Sequence, residues 1–384
     1  MKRVVLGIVM LCCACVLHAQ LEQKYGKKVL TKESVKEAGK EVVAQWMEDM
    51  REKYAVAWEK LNFKKDTFNL FCAVRNFGAV PADGRSLFIS MHGGGKVPKE
   101  VNNQQWMNQI YLYEPAEGVY VAPRAPWDDS DMWHKKGLDE LFEDLIRACV
   151  VFEHVNPDKV YLLGYSAGGD GVWRMAPRMA DRWAAASMMA GHPGNASQVN
   201  FRNLPYMIWM GEHDSAYNRN QLAVEKGAVM DSLQRIDPEG YIHETHIMKG
   251  MGHWMEQADT AAISWMTRYR RNPYPERVVW RQEEVVRPHF YWVSAPCEEL
   301  AHGKMLVVER KENEIHIEAC DYSGCTLYLN DEMVDLDRPV TVYYQGKKVF
   351  KKKLKRTLAT LQTTIHERGD CRYMFPVEIK LVLK

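Results

Sequence analysis

The sequence lacks a net charge of either sign, and this bears first on its partners. Its 384 residues include 51 Lys and Arg against 50 Asp and Glu, so the formal net charge is only +1. Domains that bind nucleic acid usually carry a strong basic excess, and we therefore expect no nucleic-acid partner. The apolar content of 46% is ordinary for a globular chain, and the length is ample for one large and one small domain.

The sequence also lacks an apolar run long enough to span a membrane. The uncharged apolar run over residues 4–17 follows Lys2 and Arg3, and Ala19 lies just beyond it. Its length of about 14 residues is short of the roughly 20 that a membrane-spanning helix needs. A basic start, a short apolar stretch and a small residue at its end are typical of an export signal. We predict a cleaved signal peptide over residues 1–19, a periplasmic or secreted mature chain, and no integral membrane span in it.

The cysteines do not show the paired spacing of a zinc site. Three of the nine lie in the leader, where a lipoprotein anchor is the weaker alternative because no good lipid-attachment pattern precedes them. In an oxidising compartment the last four of the chain could form a disulfide, whose connectivity the sequence does not reveal. The glycine-rich stretch His92–Gly95 lacks the later glycine and acidic residue of a dinucleotide site. We therefore predict no metal and no cofactor.

Strand and helix patterns alternate along the middle of the chain. Short apolar runs such as 87–91, 119–122 and 160–163 alternate with segments of helical spacing, which indicates a mainly parallel sheet with helices on both faces. Pro273 and Pro275 end this pattern, and mostly strand patterns follow. We predict an α/β fold with a small β-rich domain at the carboxyl end. The predicted parts are the signal peptide (1–19), an amino-terminal helical segment (20–64) whose helix is broken near Gly39, the α/β domain (65–272) and the β-rich domain (273–384).

One tight turn in this pattern suggests a nucleophile. The segment Gly164–Gly168 reads Gly-Tyr-Ser-Ala-Gly and lies between the apolar run Val160–Leu163 and a segment of helical spacing, Asp170–Met179. A strand, a Gly-x-Ser-x-Gly turn and a helix are together typical of a nucleophile elbow. Glycines are needed in such a turn because a side chain would collide with the neighbouring strand or helix. Ser166 is therefore the candidate nucleophile.

A serine hydroxyl needs a carboxylate and an imidazole to become reactive at neutral pH. Asp214 follows the predicted strand Tyr206–Met210 and would lie at the same edge of the sheet as Ser166, while Glu212 is the alternative acid. His253 lies in a loop that contains glycines and could bring its ring over the elbow. The other nearby histidines, His243 and His246, fall within a predicted strand and are expected to be ordinary sheet residues.

The glycine-rich stretch His92–Gly95 is the candidate oxyanion hole. It ends an early strand, so the backbone amide of Gly94 would face the elbow, and the amide of Ala167 would be its partner. Preorganised amides of this kind stabilise the negative charge that develops on the substrate oxygen. A plain glycine turn without this role is the alternative.

The order Ser166, Asp214, His253 is that of the α/β-hydrolase fold. The chain resembles secreted serine esterases of that fold, close to the feruloyl esterase, polyhydroxyalkanoate depolymerase and dienelactone hydrolase families, over about residues 65 to 270. It departs from true dienelactone hydrolases, which use cysteine where this chain has Ser166. It also looks like a bacterial group of hydrolases that share the sequence of Ser166–Gly171 and carry a β-rich tail. The resemblance implies an α/β-hydrolase fold and a serine mechanism, but little about the substrate.

Residues after the strand 119–122 lie at the active edge of the sheet, where α/β folds bind ligands. We predict a substrate-binding role for three of them, Arg124, Trp127 and Trp133, although a packed loop with an internal Arg–Asp pair is an equal alternative. The residues after the glycine-rich stretch, which include Asn102, Asn103, Gln105 and Trp106, are candidates for the rim of the site. The predicted substrate-binding residues are Arg124, Trp127, Trp133 and Trp106.

One concentrated basic run, Lys347–Arg356, stands out in the β-rich part. It could contact an acidic polymer, but lysines on an exposed hairpin also protect an edge strand against aggregation. The whole pattern predicts an exported serine hydrolase whose partner is an ester substrate, preferably a carbohydrate-linked acetyl, feruloyl or methyl ester. An exopeptidase of the same fold and a carbohydrate-binding protein without activity remain the alternatives.

Overall fold

The computed structural model describes residues 21–26 and 28–383. The predicted signal peptide, residues 1–19, lies outside these ranges. Within them, no helix combines the length and the apolar character that crossing a membrane requires.

An eight-stranded sheet forms the centre of the first two thirds of the chain. In chain order its strands are β1 (Asn62–Lys65), β2 (Phe68–Phe77), β3 (Arg85–Met91), β4 (Gly118–Arg124), β5 (Val155–Tyr165), β6 (Ala185–Met189), β7 (Tyr206–Gly211) and β8 (His243–Met248). They lie in the order β1-β2-β4-β3-β5-β6-β7-β8. The pairs β1/β2 and β2/β4 are antiparallel, and the remaining pairs are parallel. The carboxyl ends of the parallel strands therefore meet at one edge.

Helices cover both faces of this sheet. They are α1 (Lys32–Glu59), α2 (Lys99–Ile110), α3 (Leu138–Glu153), α4 (Ala167–Arg178), α5 (Arg219–Ile236) and α6 (Ala261–Met266), with short 3-10 turns at Gln198–Asn203, Ala216–Asn218 and Ala258–Thr260. Side chains along β3 alternate between two cores, because successive residues of a strand point to opposite faces. Leu87 and Ile89 pack in the core that α3 and α4 cover, and Phe88 packs in the core that α2 and α6 cover.

The amino-terminal helix is continuous, so the expected break near Gly39 is wrong. Thr31 caps α1, since its hydroxyl accepts from the Ser34 amide and the Ser34 hydroxyl accepts from the Thr31 amide. Gly39 is buried against the carboxyl-terminal part of the chain, where an added Cβ would lie 2.9 Å from Met374 Cε. The glycine therefore marks a close packing contact and not a helix end.

Two further sheets and one helix form the carboxyl-terminal part. The strands are β9 (Arg277–Arg281), β10 (His289–Phe290), β11 (Val293–Ser294), β12 (Met305–Lys311), β13 (Glu314–Cys320), β14 (Gly324–Leu329), β15 (Val340–Tyr344), β16 (Lys347–Lys352) and β17 (Val377–Val382), the helix is α7 (Leu358–Arg368), and 3-10 turns lie at Cys297–Glu299 and Cys371–Tyr373. One sheet has the order β10-β11-β14-β17 and the other β16-β15-β13-β12-β9.

The predicted fold class is confirmed: a mainly parallel α/β sheet with helices on both faces is followed by a β-rich part. Some element predictions are wrong in detail. The apolar residues of 290–293 predict a single strand, but Tyr291 has a positive φ of 50° and separates two short strands. The sequence over 255–268 predicts one helix, whereas the structure has a 3-10 turn at Ala258–Thr260 followed by α6. In the part of the chain that is described, no disulfide links the cysteines.

Candidate active site

Ser166 stands at the sharp corner between β5 and α4. β5 ends at Tyr165, α4 begins at Ala167, and Ser166 has φ 56° and ψ −122°. A positive φ is uncommon for a residue with a side chain, and it persists only where the surrounding structure holds it. A side chain on Gly164 would collide with the backbone of Gly168, and one on Gly168 would collide with the Met91 carbonyl. The two glycines thus allow β5, β3 and α4 to approach closely around Ser166.

Hydrogen bonds connect Ser166, His253 and Asp214 in a row. His253 Nε2 lies 2.9 Å from Ser166 Oγ, and His253 Nδ1 lies 2.7 Å from Asp214 Oδ2. The tautomer that satisfies both contacts carries its proton on Nδ1 and donates it to the carboxylate. Nε2 is then free to accept the proton of the serine hydroxyl. The structure brings together the three side chains that the sequence proposed as catalytic.

Asp214 lies just beyond the end of β7 and is only 3% exposed. Its Oδ1 accepts a long hydrogen bond of 3.5 Å from Arg219 Nη1, in addition to the bond between Oδ2 and His253. The alternative acid, Glu212, points elsewhere: its Oε2 accepts from the Gly250 amide at 2.7 Å. Glu212 thus stabilises the loop that carries His253, whereas Asp214 contacts the imidazole itself.

Tyr165, the residue before Ser166, holds the histidine loop in place. Its hydroxyl donates to the His253 carbonyl at 2.6 Å and accepts from the Met255 amide at 3.1 Å. The ring packs edge-on against the imidazole, with centroids 5.9 Å apart. The elbow that presents Ser166 therefore also fixes the backbone that directly follows His253.

The loop after β3 passes directly over Ser166. A Cβ built on Gly93 would lie 3.1 Å from Ser166 Cβ, and one on Gly94, which has φ 119°, would collide with Asn102 Oδ1. Ala167 is the first residue of α4, so its amide has no acceptor within the helix and carries the positive end of the helix dipole. Gly93 and Ala167 are thus next to Ser166, and Gly94 lines the same cleft as the nucleophile.

Asn102 and His92 hold this loop in shape. The buried Asn102 carboxamide accepts from the Gly95 amide and donates to the Gly95 carbonyl, both at 3.0 Å. His92 Nδ1 donates to the Gly93 carbonyl, and His92 Nε2 accepts from the Ala125 amide at 3.1 Å. Burial lowers the pKa of His92 to about 3, so the ring is neutral and each nitrogen has one fixed role.

A cleft of about 450 Å³ opens above Ser166. One wall is formed by α2 and the segment after it, with the carboxamides of Gln105, Asn108 and Gln109, and Trp254 lies at another side. Among the described residues that line the cleft, none is Asp, Glu, Lys or Arg. The cleft is therefore polar and aromatic without a fixed charge. The complete lining is Gly93, Gly94, Val101, Gln105, Asn108, Gln109, Leu112, Tyr165, Ser166, His253 and Trp254.

The four residues that the sequence suggested for substrate binding do not belong to this lining. Arg124 is buried, donates to Asn103 Oδ1 at 2.9 Å and forms an ion pair with Asp128, which is the internal pairing considered as its alternative. Trp133 is also buried and donates to the His92 carbonyl at 2.8 Å. The indole of Trp106 donates to the Ala122 carbonyl at 2.8 Å, and Trp127 packs edge-on against Phe68. These side chains support the loops around the site.

Trp254 and Tyr165 line the cleft but were not predicted from the sequence. Their positions next to His253 and Ser166 in the chain could have identified them. His243 and His246 lie in β8, as expected; the ring of His246 stacks on Trp209 with centroids 4.3 Å apart. Over residues 21–26 and 28–383, no group of three or more His, Cys, Asp or Glu side chains is arranged to hold a metal ion.

Solved structures of esterases and serine hydrolases are similar to this chain in fold. A thermostable esterase is 18% identical, with a TM-score of 0.44, and the match covers 55% of this chain and 62% of that esterase. An acetyl xylan esterase from Aspergillus awamori is 10% identical, with a TM-score of 0.39 over 54% of this chain and 98% of its own length. Est1E from Butyrivibrio proteoclasticus is 15% identical, with a TM-score of 0.36 over 54% and 97%. No protein-family model and no curated protein matches the sequence.

Proposed function

We propose that this chain is a serine esterase that cleaves carboxylic esters through an acyl-enzyme on Ser166. The observation that carries the proposal is the row of hydrogen bonds from Ser166 Oγ through His253 to Asp214, at 2.9 Å and 2.7 Å. A nucleophile, a base within reach of its proton and a carboxylate that orients the base are the groups that acyl transfer requires.

The first half of the reaction transfers the acyl group to the enzyme. Ser166 Oγ attacks the carbonyl carbon of the ester while its proton moves to His253 Nε2. The imidazolium is stabilised by the Asp214 carboxylate, which remains ionised. The negative charge on the former carbonyl oxygen is stabilised by the Ala167 amide and by an amide of the glycine loop, for which Gly94 is our candidate. As the tetrahedral intermediate collapses, His253 returns the proton to the leaving alcohol.

The second half releases the acid. A water molecule takes the position of the alcohol and attacks the acyl carbon, giving its proton to His253 Nε2. The same amides stabilise the second tetrahedral intermediate, and the Ser166 oxygen then leaves and takes up the proton from His253. One ester and one water are consumed, and one acid and one alcohol are formed, so the enzyme returns to its starting state without a cofactor.

For the substrate class, we propose an ester linked to carbohydrate. Support comes from the cleft above Ser166, which offers carboxamides and an exposed indole, groups that can bind hydroxyls and the apolar face of a sugar ring. The proposal of export to the periplasm or beyond rests on residues 1–19 alone.

The test is covalent labelling of the purified protein with a fluorophosphonate probe, together with hydrolysis of p-nitrophenyl acetate. We expect the probe on Ser166, located by peptide mass spectrometry, and we expect Ser166→Ala to abolish both labelling and hydrolysis. A protein that is folded but neither reacts with the probe nor cleaves the ester would instead support a binding function on an inactive hydrolase scaffold. Preference for aminoacyl amides over esters would favour an exopeptidase.

A further inference from the structure

The helix α2 is rich in Asn and Gln, and one of its carboxamide side chains forms no hydrogen bond to the described part of the chain. Its sequence contains six Asn and Gln residues between positions 102 and 109. Five of them form hydrogen bonds within the fold: Asn102 binds Gly95, Asn103 binds Arg124, Gln109 binds Ser90, and Gln104 and Asn108 bind each other. The remaining residue, Gln105, makes no side-chain hydrogen bond within the part of the chain that is described. A half-buried carboxamide that can donate and accept but has no partner is suited to binding a ligand.

The Gln105 side chain lies in the cleft close to Ser166. It lines the cleft on the same helix face as Val101 and Asn108, at the i+4 and i+7 spacing of a helix. Its Oε1 lies 3.8 Å from the position of a Cβ on Gly93, and that Cβ would in turn lie 3.1 Å from Ser166 Cβ. The free carboxamide is therefore next to the nucleophile, where the ester has to bind.

Trp254 supplies the second feature of the same cleft. The chain has twelve tryptophans, all of them described, and Trp254 alone is more than half exposed, at 52%. Its ring contacts Tyr165, with centroids 5.7 Å apart, and Tyr165 fixes the His253 loop. The indole is thus held at the mouth of the cleft beside the imidazole. A large aromatic surface left open at such a position is characteristic of a binding site.

We propose that Gln105 and Trp254 form a subsite for a neutral sugar ring of the ester. A pyranose has a face of C–H groups, which can stack on the indole, and a rim of hydroxyls, which can donate to and accept from the carboxamide. The absence of Asp, Glu, Lys and Arg among the described lining residues favours a neutral sugar over a uronic acid, whose carboxylate would lose solvation without gaining a partner. This inference rests on the proposed esterase function and narrows its substrate.

The experiment compares two esters for each variant. The sugar ester is an acetylated xylo-oligosaccharide, the reference without a sugar is p-nitrophenyl acetate, and the readout is the ratio of the two kcat/KM values. We expect Gln105→Leu to lower this ratio about 3- to 10-fold, which corresponds to the loss of one hydrogen bond between neutral groups. Trp254→Ala should lower it at least about 10-fold because a ring-sized contact is lost, and Trp254→Tyr should restore most of it.

Gln104→Leu is the matched control, since Gln104 is the neighbouring residue of the same helix but is exposed and outside the cleft. Its ratio should equal that of the unaltered protein. If Gln105→Leu folds poorly, Gln105→Glu keeps the size and one acceptor but removes the donor, and it should also lower the ratio. The inference is overturned if Gln105→Leu leaves the ratio unchanged or if oligogalacturonate methyl esters are cleaved better than the xylo-oligosaccharide ester.

The esterase function and the sugar subsite can be contradicted by different results. A protein that neither reacts with a fluorophosphonate nor cleaves p-nitrophenyl acetate contradicts the esterase function itself. A protein that reacts with the probe and cleaves p-nitrophenyl acetate, but shows the same ratio in Gln105→Leu and Gln104→Leu, contradicts only the sugar subsite.

Discussion

At the scale of single residues, the orientation of His253 depends on Asp214. We expect Asp214→Asn to lower turnover of p-nitrophenyl acetate by up to ~10⁴-fold, because an amide favours the tautomer that directs an N–H at Ser166. The melting temperature should change little, since the amide has the same shape and can still bond to the ring. Steady-state kinetics and thermal melts of the purified variant provide the measurement.

Glu212→Gln is the control for this prediction. The Glu212 side chain accepts from the Gly250 amide, and a glutamine oxygen can accept the same bond, so activity should remain close to that of the unaltered protein. Should Glu212→Gln lose its activity while Asp214→Asn keeps it, the acid would be misassigned. Nucleophile and base would be unaffected by that result.

Ser166, Asp214 and His253 could be identified from the sequence because each follows a strand pattern at the same edge of a parallel sheet. The substrate residues could not be identified in this way. Arg124 and Trp133 have the right position along the chain, but their side chains turn inward to bond to Asp128 and to the His92 carbonyl. Which way a loop side chain points is decided by tertiary contacts, and these are not visible in local sequence.

At the scale of elements, α2 and β12 are a helix and a strand that the hydrophobic pattern of the sequence does not predict. The sequence of α2 is mostly polar, with only Asn102, Gln109 and Ile110 buried, so it lacks the apolar spacing by which helices are found. Its polar face is nevertheless the wall of the cleft. β12 (Met305–Lys311) ends in charged residues, and it pairs with both β9 and β13. Its place in the sheet is set by these partners, which the local sequence does not show.

His92 links the glycine loop after β3 to Ala125, which follows β4. We expect the titration of its ring to make the stability of the fold depend on pH. Burial lowers its pKa to about 3, whereas the pKa in an unfolded chain is about 6.5. The unfolded state therefore binds a proton that the folded state does not, so stability is complete above about pH 6.5 and is lost as the pH falls. We expect the drop in unfolding free energy between pH 6.5 and pH 5 to be about 1.5 kcal/mol smaller in His92→Asn. Urea unfolding at the two pH values measures it.

Two half-buried histidines also have lowered pKa values, since desolvation lowers the pKa of His134 to about 4 and that of His289 to about 2. His92→Asn should therefore reduce the acid sensitivity without removing it. His302→Asn, at an exposed position, should behave as the unaltered protein does. An equal pH dependence in His92→Asn and the unaltered protein would mean that His92 is protonated in the folded state.

At the scale of the whole molecule, buried charges join the β-rich part to the part that contains the eight-stranded sheet. Asp370 Oδ2 accepts from Arg271 Nη1 at 2.6 Å and from Arg182 Nη1 at 3.4 Å. Burial acts to raise the pKa of Asp370, but Arg271 and Arg182 outweigh it and hold the pKa below its usual range. One continuous apolar core also contains residues from both parts, such as Trp173 and Trp292. The division at residue 272 remains a proposal about sequence organisation, and we expect the two parts to unfold together.

Asp370→Asn tests this expectation. The amide keeps an acceptor but removes the charge that Arg182 and Arg271 share. Arg271 still pairs with Asp158 and Arg182 with Glu143, so the loss is that of charge-assisted hydrogen bonds, about 1.5 to 3 kcal/mol. We expect the melting temperature to fall by about 3 to 6 °C in calorimetry, with a single transition before and after the change.

The matched control for Asp370→Asn is Glu378→Gln, which removes a carboxylate from the surface pair with Lys380, 2.9 Å away. An exposed pair contributes little to stability, so the melting temperature should stay within about 2 °C of the starting value. Two separate transitions in Asp370→Asn, with only one of them shifted, would show that the β-rich part folds as an independent unit. The expectation of joint unfolding would then be wrong, because the buried ion pairs would join two parts that are each stable alone.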